Sequence, residues 1–304
     1  YLMRLGVAAT PEVALPTLSW LQTSGHTLVR VISQPDKPSG RGQEIHSSPV
    51  SQWAKANSIE LVNPATVPEI DKALSDLDLL ITIGYGRILP AQTLAIPKHG
   101  CINLHFSLLP KFRGAAPVQR AIESGESESG VTVFALDPGM DTGPIYTSIT
   151  VPIEPTMRSY ELLEKLSVIG VTAIENALIA IESGIAPVAQ TGQASIASKI
   201  TREEAALDWN ASSKTLHNKI RAFYPQPHAW TNFRGQPLKI SAAKIAGSDI
   251  KLEPGELRVV ENECLIGTGD ACLVLETLTP AGKKEMSALD WSRGARFESS
   301  ERCG

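Results

Sequence analysis

Cys101-Ile102-Asn103-Leu104-His105-Phe106-Ser107-Leu108-Leu109-Pro110-Lys111-Phe112-Arg113-Gly114 runs from an apolar stretch, through two polar side chains, into a proline. Cys101–Leu104 reads as a short buried strand of a largely parallel sheet. Asn103 and His105 stand two apart at its end, so their side chains project from one face. Pro110 stops the extended run, and Arg113-Gly114 make the turn that feeds a helix at Pro117. Ligands in open α/β sheets sit outside the carboxyl ends of the strands, which is where this pair falls.

The flanking sequence supports that reading. Arg4–Ala8, Thr27–Ser33 and Leu79–Ile83 read as further strands, with a helix over Pro11–Ser24. Gly130–Ala135 and Ile145–Pro152 read as two more. Leu162, Leu163, Leu166, Ile169, Ala173, Ile174 and Ala177 then recur at three-to-four-residue spacing, predicting a helix from about Met157 to Ser183. Strands alternating with helices define an α/β fold with a Rossmann-like, mostly parallel sheet. The polar stretch 188–204 lacks periodicity and reads as a linker. Beyond it come a helical piece, Ala211–Arg221, and short strand-like runs at Ala229–Phe233, Leu238–Ala242, Glu256–Val260, Cys264–Gly267 and Cys272–Thr277. Their even spacing favours a small barrel or sandwich. The expected division is residues 1–187, a linker over 188–204, and residues 205–304.

With 304 residues, 42% hydrophobic and 20% charged, the chain has material for two packed cores and no signature of disorder. No apolar stretch is long enough to cross a bilayer, and no basic-then-apolar leader precedes the first strand. Cys101, Cys264, Cys272 and Cys303 form no CxxC pair. A reducing cytoplasm is the expectation. The net charge of −4 divides into −5 over residues 1–204 and +1 over residues 205–304. Charge alone does not suggest a nucleic-acid partner.

A carboxamide beside an imidazole can serve one reacting carbonyl. The amide N–H stabilises developing negative charge, and the imidazole exchanges protons near neutral pH. Asn-x-His by itself is weak evidence, since a strand-end histidine is more often structural. Asp137-Pro138-Gly139-Met140-Asp141-Thr142-Gly143-Pro144 is a second unusual element, and turn chemistry alone accounts for many such loops. It lacks EF-hand spacing and a His/Cys ligand set, so no metal is expected.

Asn103–Arg120 resembles the signature of the folate-dependent formyltransferases, in which Asn-x-His precedes Ser-Leu-Leu-Pro and a downstream Asp completes the site. Gly114-Ala115-Ala116-Pro117-Val118-Gln119-Arg120 resembles the branch of that family that acts on methionyl-tRNA. So do Ala9-Thr10-Pro11-Glu12, Gln34-Pro35-Asp36, Gly40-Arg41-Gly42 and Tyr85-Gly86-Arg87-Ile88-Leu89-Pro90. The likeness continues through Arg221–Pro225 and Pro280–Met286, so it spans both expected domains. It implies Asn103, His105 and Asp141 as the catalytic trio, with Ser107, Leu108, Leu109, Pro110 and Tyr85 lining a folate site. It further implies 10-formyltetrahydrofolate as formyl-donor substrate, no metal, and initiator methionyl-tRNA as acceptor. A formyltransferase domain followed by an OB-like, tRNA-binding barrel is the implied architecture, in a cytoplasmic monomer. Arg41, Lys283 and Lys284 are the implied tRNA contacts, although Gln43-Glu44 stand where relatives often have lysines. The rival readings are formyl transfer to an amino-sugar nucleotide or glycinamide ribonucleotide, a folate hydrolase, and a non-catalytic RNA-binding protein.

Overall fold

Seven short apolar strands of the first 152 residues hydrogen-bond into one sheet in this computed structural model, which describes residues 2–39, 44–247, 250–298 and 300–304. In chain order the elements are β1 (Arg4–Ala9), α1 (Leu15–Leu21), β2 (Thr27–Ile32), β3 (Lys37–Ser39), β4 (Glu44–His46), α2 (Pro49–Ala56), β5 (Glu60–Val62) and α3 (Val67–Leu74). They continue with β6 (Leu79–Ile83), α4 (Ala91–Leu94), β7 (Cys101–His105), α5 (Pro117–Glu123), β8 (Glu128–Ala135), β9 (Ile145–Pro152) and α6 (Ser159–Glu182). The spatial order is β5-β2-β1-β6-β7-β8-β9. The pairs from β5 to β7 are parallel, and β8 turns antiparallel against β7. The expected α/β class is what the chain forms.

The chain divides into two compact units. The first comprises residues 1–114, 129–151 and 163–196; the second comprises residues 115–128, 152–162 and 197–304. In the first, β6 is buried at every residue, and Leu5, Val7, Ile102, Leu104, Val131 and Val133 join it in the core. Continuous apolar runs follow from a parallel sheet covered on both faces. Helix α6 lies directly on the strand that carries the Asn-x-His pair. A Cβ built on Gly170 would come within 2.6 Å of Leu104 Cδ2, so glycine allows that close approach. The helix expected over Pro11–Ser24 is shorter: a 3-10 turn, Glu12–Ala14, precedes α1, whose first turn holds Pro16.

The second unit contains α7 (Ser213–Phe223), β10 (Ala229–Phe233), β11 (Gln236–Ile245), β12 (Leu257–Val260), β13 (Glu263–Gly267), β14 (Cys272–Pro280), β15 (Met286–Ser287) and α8 (Ala288–Ala295). The antiparallel order β10-β11-β14-β13-β12 leaves β10 and β12 as edges. The last residues join these two edges. Cys303 bridges Phe233 and Arg302 bridges Glu256; Cys303 N–H donates to Gly255 and Gly304 N–H to Asn232, each at 2.9 Å. This seam removes the open edges and closes the sheet around Trp209, Leu238, Ile240, Leu275 and Trp291.

Gly255 sits at φ +78°, and a Cβ there would meet the Cys303 carbonyl at 2.4 Å. Gly255→Ala should therefore cost about 2 kcal/mol of stability, seen as a lower Tm. Gly282→Ala, at φ +70° with open space around it, should cost only about 1 kcal/mol. Equal losses would mean that the seam contributes nothing.

Candidate active site

Strand pairing sets the first side chain. Asn103 lies in register with Thr82 of β6 and Phe134 of β8. Its Nδ2 donates to Thr82 Oγ1 at 2.7 Å, while the Thr82 hydroxyl donates to the Ile102 carbonyl at 3.2 Å. A hydroxyl has one proton, so towards Asn103 it can only accept. The carboxamide is thereby held with its N–H side towards β6, one proton committed and the second available to a ligand.

His105 projects from the same face and is only 6% exposed. Its Nε2 is 2.9 Å from the Phe112 carbonyl. A carbonyl cannot donate, so Nε2 carries the proton of the neutral ring and Nδ1 keeps the lone pair. Asp141 Oδ2 is 3.7 Å from Nδ1, too long for a hydrogen bond but close enough for Coulombic attraction. Burial pushes the imidazole below its ordinary value, and Asp141 and then the Phe112 carbonyl oppose that shift without reversing it. The resting ring is neutral near pH 7, with Nδ1 as its basic atom. Phe134 meets the ring edge-on, with centroids 6.5 Å apart.

Asp141 arrives from the Asp137–Pro144 loop between β8 and β9. Its Oδ2 accepts the Gly114 N–H at 2.7 Å. Within the loop, Asp137 Oδ1 accepts from Gly139 N at 3.0 Å and from Thr142 Oγ1 at 2.7 Å. At Gly143 a Cβ would lie 1.7 Å from the Ala135 carbonyl, so the loop can close there only on glycine. His105 and Asp141 therefore come together in the first unit although 36 positions separate them, and Asn103 projects from the same face of β7 two residues before His105.

Residues inside the expected linker support both sides of this pair. Gln190 Nε2 donates to the Asp141 and Gly143 carbonyls at 2.8 and 2.9 Å, and its Oε1 accepts from Arg113 Nη2 at 2.6 Å. Ser195 Oγ accepts from Phe112 N at 2.8 Å, and its carbonyl accepts from Arg113 N at 2.9 Å. Sequence reading missed Thr82, Gln190 and Ser195. A hydroxyl amid the apolar run Leu79–Ile83 was a usable signal, because a buried hydroxyl needs a partner. Gln190 and Ser195 gave none, since their partners lie 77 and 83 positions away.

Of the expected folate-lining residues, Ser107 is fully buried and donates its hydroxyl to the Lys111 carbonyl at 2.7 Å. It closes the turn and has no proton left for a ligand. Thr132 braces that turn, donating to the Ser107 carbonyl at 2.7 Å and accepting from Leu109 N at 3.2 Å. Leu108 is half-buried, while Leu109 and Pro110 are buried. Tyr85 follows β6, the strand beside β7. It is buried, its carbonyl accepts from Gln34 Nε2 at 2.9 Å, and burial raises its phenol above the ordinary value. Lys283 and Lys284 are exposed on the turn after β14 in the second unit. Arg41 lies outside the described residues. Cys101 is an inert core thiol, pushed up to about 12 by burial. Among the described residues no three His, Cys, Asp or Glu side chains gather as a metal-holding group, and no helix is long and apolar enough to cross a membrane.

Residues 7–178 match the family described as Formyl transferase, and residues 199–296 match Formyl transferase, C-terminal domain. The chain belongs to the formyl transferase family. A family member from Salinispora tropica, a methionyl-tRNA formyltransferase, is 40% identical over 306 residues, covering 98% of this chain and 99% of the relative. HypX from Aquifex aeolicus, solved with tetrahydrofolic acid, superposes with a TM-score of 0.70 at 19% identity. The match takes in 99% of this chain and 49% of HypX, so this chain spans about half of that protein. WlaRD, a sugar 3N-formyl transferase solved with dTDP and 5-N-formyl-THF, gives 0.68 at 21% identity over 93% of this chain and all of its own. At these identities the structural likeness is one of fold.

The His105 ring should titrate below an ordinary imidazole, and Asp141→Asn should lower it further by removing the carboxylate that favours the charged form. Ring NMR across pH 4–9 checks both; a D141N titration at or above the parent value would contradict the assigned electrostatics.

Proposed function

We propose that this chain transfers the formyl group of 10-formyltetrahydrofolate to the α-amine of methionine on initiator methionyl-tRNA, for the start of translation. The observation that carries this reading is the placing of Asp141 beside the His105 ring, with Asn103 on the same face of β7, in a chain 40% identical to a methionyl-tRNA formyltransferase over nearly its full length.

The reaction is acyl transfer. The amine attacks the formyl carbon, the carbonyl becomes an oxyanion, and N10 of the folate leaves with a proton. The uncommitted N–H of Asn103 donates to the oxyanion, a contribution of about 3 kcal/mol to the barrier. His105 Nδ1 takes the proton that the attacking amine sheds and returns it to the leaving nitrogen. As that proton arrives, the ring becomes cationic in a buried site. The Asp141 carboxylate offsets the cost of the charge, and a proton on Nδ1 gives it a partner that the neutral ring lacks. No acyl-enzyme is needed, because the amine is itself the acceptor; the commitment of the Ser107 hydroxyl to Lys111 agrees with this.

Leu108, Leu109, Pro110 and the neighbourhood of Tyr85 supply the apolar wall for the folate. The buried Ser107 hydroxyl, its proton committed to the Lys111 carbonyl, contributes to the shape of that wall and donates nothing to the folate. Arg41, Lys283 and Lys284 contact acceptor-stem phosphates, giving affinity without sequence readout. The enzyme works as a monomer in the cytoplasm.

The decisive experiment supplies the donor together with charged initiator tRNA, charged elongator tRNA and amino-sugar nucleotides, and identifies the formylated product. Formyl appearing on the sugar and not on tRNA would overturn the proposal. Asn103→Ala should lower kcat on the order of a hundredfold. Asp141→Asn should lower it by at least as much at unchanged Tm, and near-parental turnover in D141N would remove Asp141 from the mechanism.

A further inference from the structure

Both main-chain segments that hold the His105–Asp141 pair are bent into conformations that side-chain-bearing residues seldom adopt. Phe112, whose carbonyl anchors Nε2, has φ +59°, and Asp141 has φ +54°. Left-handed main chain is unfavourable for any residue but glycine, so something must hold it. One stretch of chain, residues 190–195, does so at both places. Ser195 takes the Phe112 and Arg113 N–H groups. Gln190 takes the Arg113 guanidinium through Nη2 at 2.6 Å and Nε at 3.2 Å, and gives its two amide protons to the Asp141 and Gly143 carbonyls.

The chemistry of Gln190 is specific to a carboxamide. It has two N–H protons and two lone pairs on one oxygen, and all four are used. Its orientation is also unambiguous. Turned over, its oxygen would face two carbonyl oxygens and its amide a cation. No other side chain of this length donates twice on one side and accepts twice on the other. The bond to Asp141 runs through the main chain, so the carboxylate stays available to Gly114 N and His105.

We infer that Gln190 is a positioning residue for formyl transfer, clamping the Asp141 loop to Arg113 so that the carboxylate stays at the His105 imidazole. The inference rests on the function proposed above. Gln190 touches no reacting atom and acts through Asp141. Misplacing a catalytic group by about an ångström costs on the order of tenfold to a hundredfold in rate, and that is the size of effect expected.

The test uses the full-length protein with Gln190→Ala and Gln190→Glu, each alone and combined with Asp141→Asn. Q190A removes both halves of the clamp. Q190E keeps acceptors for Arg113 and sets a carboxylate oxygen against the two loop carbonyls. Circular dichroism melts first establish the folded fraction. Both variants should then lose about tenfold or more in kcat per folded molecule, with the KM for 10-formyltetrahydrofolate within about threefold of the parent. In the D141N background the same substitutions should cost less than about threefold, because the residue they act through is already disabled. A loss of equal size in both backgrounds, or a kcat within twofold of the parent in Q190A and Q190E, would overturn the inference. Ring NMR of His105 needs no substrate and separates this inference from the functional one. The charged groups at the pair are Asp141, facing Nδ1, and Arg113, turned towards Gln190. Q190A should move the His105 titration in the same direction as D141N. A chain that formylates no tRNA but shows this shift would lose its proposed function and keep its clamp; an unmoved titration would count against the clamp.

Discussion

A buried imidazole with one nitrogen committed to a main-chain carbonyl is the constraint on which the rest of the site depends. The Phe112 carbonyl decides which nitrogen of His105 is protonated at rest, and hence which one is basic. Burial keeps the ring neutral, and a carboxylate 3.7 Å from the basic nitrogen keeps proton uptake within reach. Neither influence suffices alone. An exposed histidine would lose the burial that keeps it neutral, and a buried one without Asp141 would resist taking up a proton. The sheet sets residues 82, 103 and 105, and two loops bring residues 112 and 141 to the His105 end of that strand.

Much of the fold could be read from periodicity because its core strands are short, apolar and bounded by breakers. Leu79–Ile83, Ile145–Pro152 and Ala229–Phe233 form strands with the expected limits. Helices α2 and α3 went unread despite local signals. Ser48 caps α2 with Pro49 in its first turn, and Thr66 with Glu69 makes a capping box before α3. Each spans only 8 residues, barely two turns, so a periodicity reading passes over them while a capping reading does not. The closing seam at residues 302–304 was illegible for another reason. It is made of main-chain hydrogen bonds, and these leave no mark on side-chain pattern.

The candidate site divides in the same way. Residue type and spacing identified Asn103 and His105 as neighbours, because two-residue spacing on a strand is a geometric statement. Nothing local could join Asp141 to them; resemblance to a family did so, and its place 3.7 Å from His105 is consistent with that. Two of the supporting residues were beyond both routes. Gln190 and Ser195 sit in a stretch whose polarity suits a linker, and polarity alone does not distinguish a segment that is merely solvated from one that satisfies buried main-chain groups elsewhere.

The local strain also has a direction. Phe112 and Asp141 both take left-handed main-chain angles, and Gly143 lies so close to the Ala135 carbonyl that no side chain fits. A chain selected for stability alone would relax such a loop. Here the bends turn the Phe112 carbonyl and the Asp141 carboxylate towards opposite nitrogens of one ring, an arrangement that extended backbone at those positions would not produce. The cost, about 1–2 kcal/mol at each bend, is offset by hydrogen bonds to residues 190–195. The His105–Asp141 geometry is therefore not self-supporting. It is held by a polar strap distant in sequence, whose hydrogen bonds reach the pair through the main chain of Phe112 and Asp141.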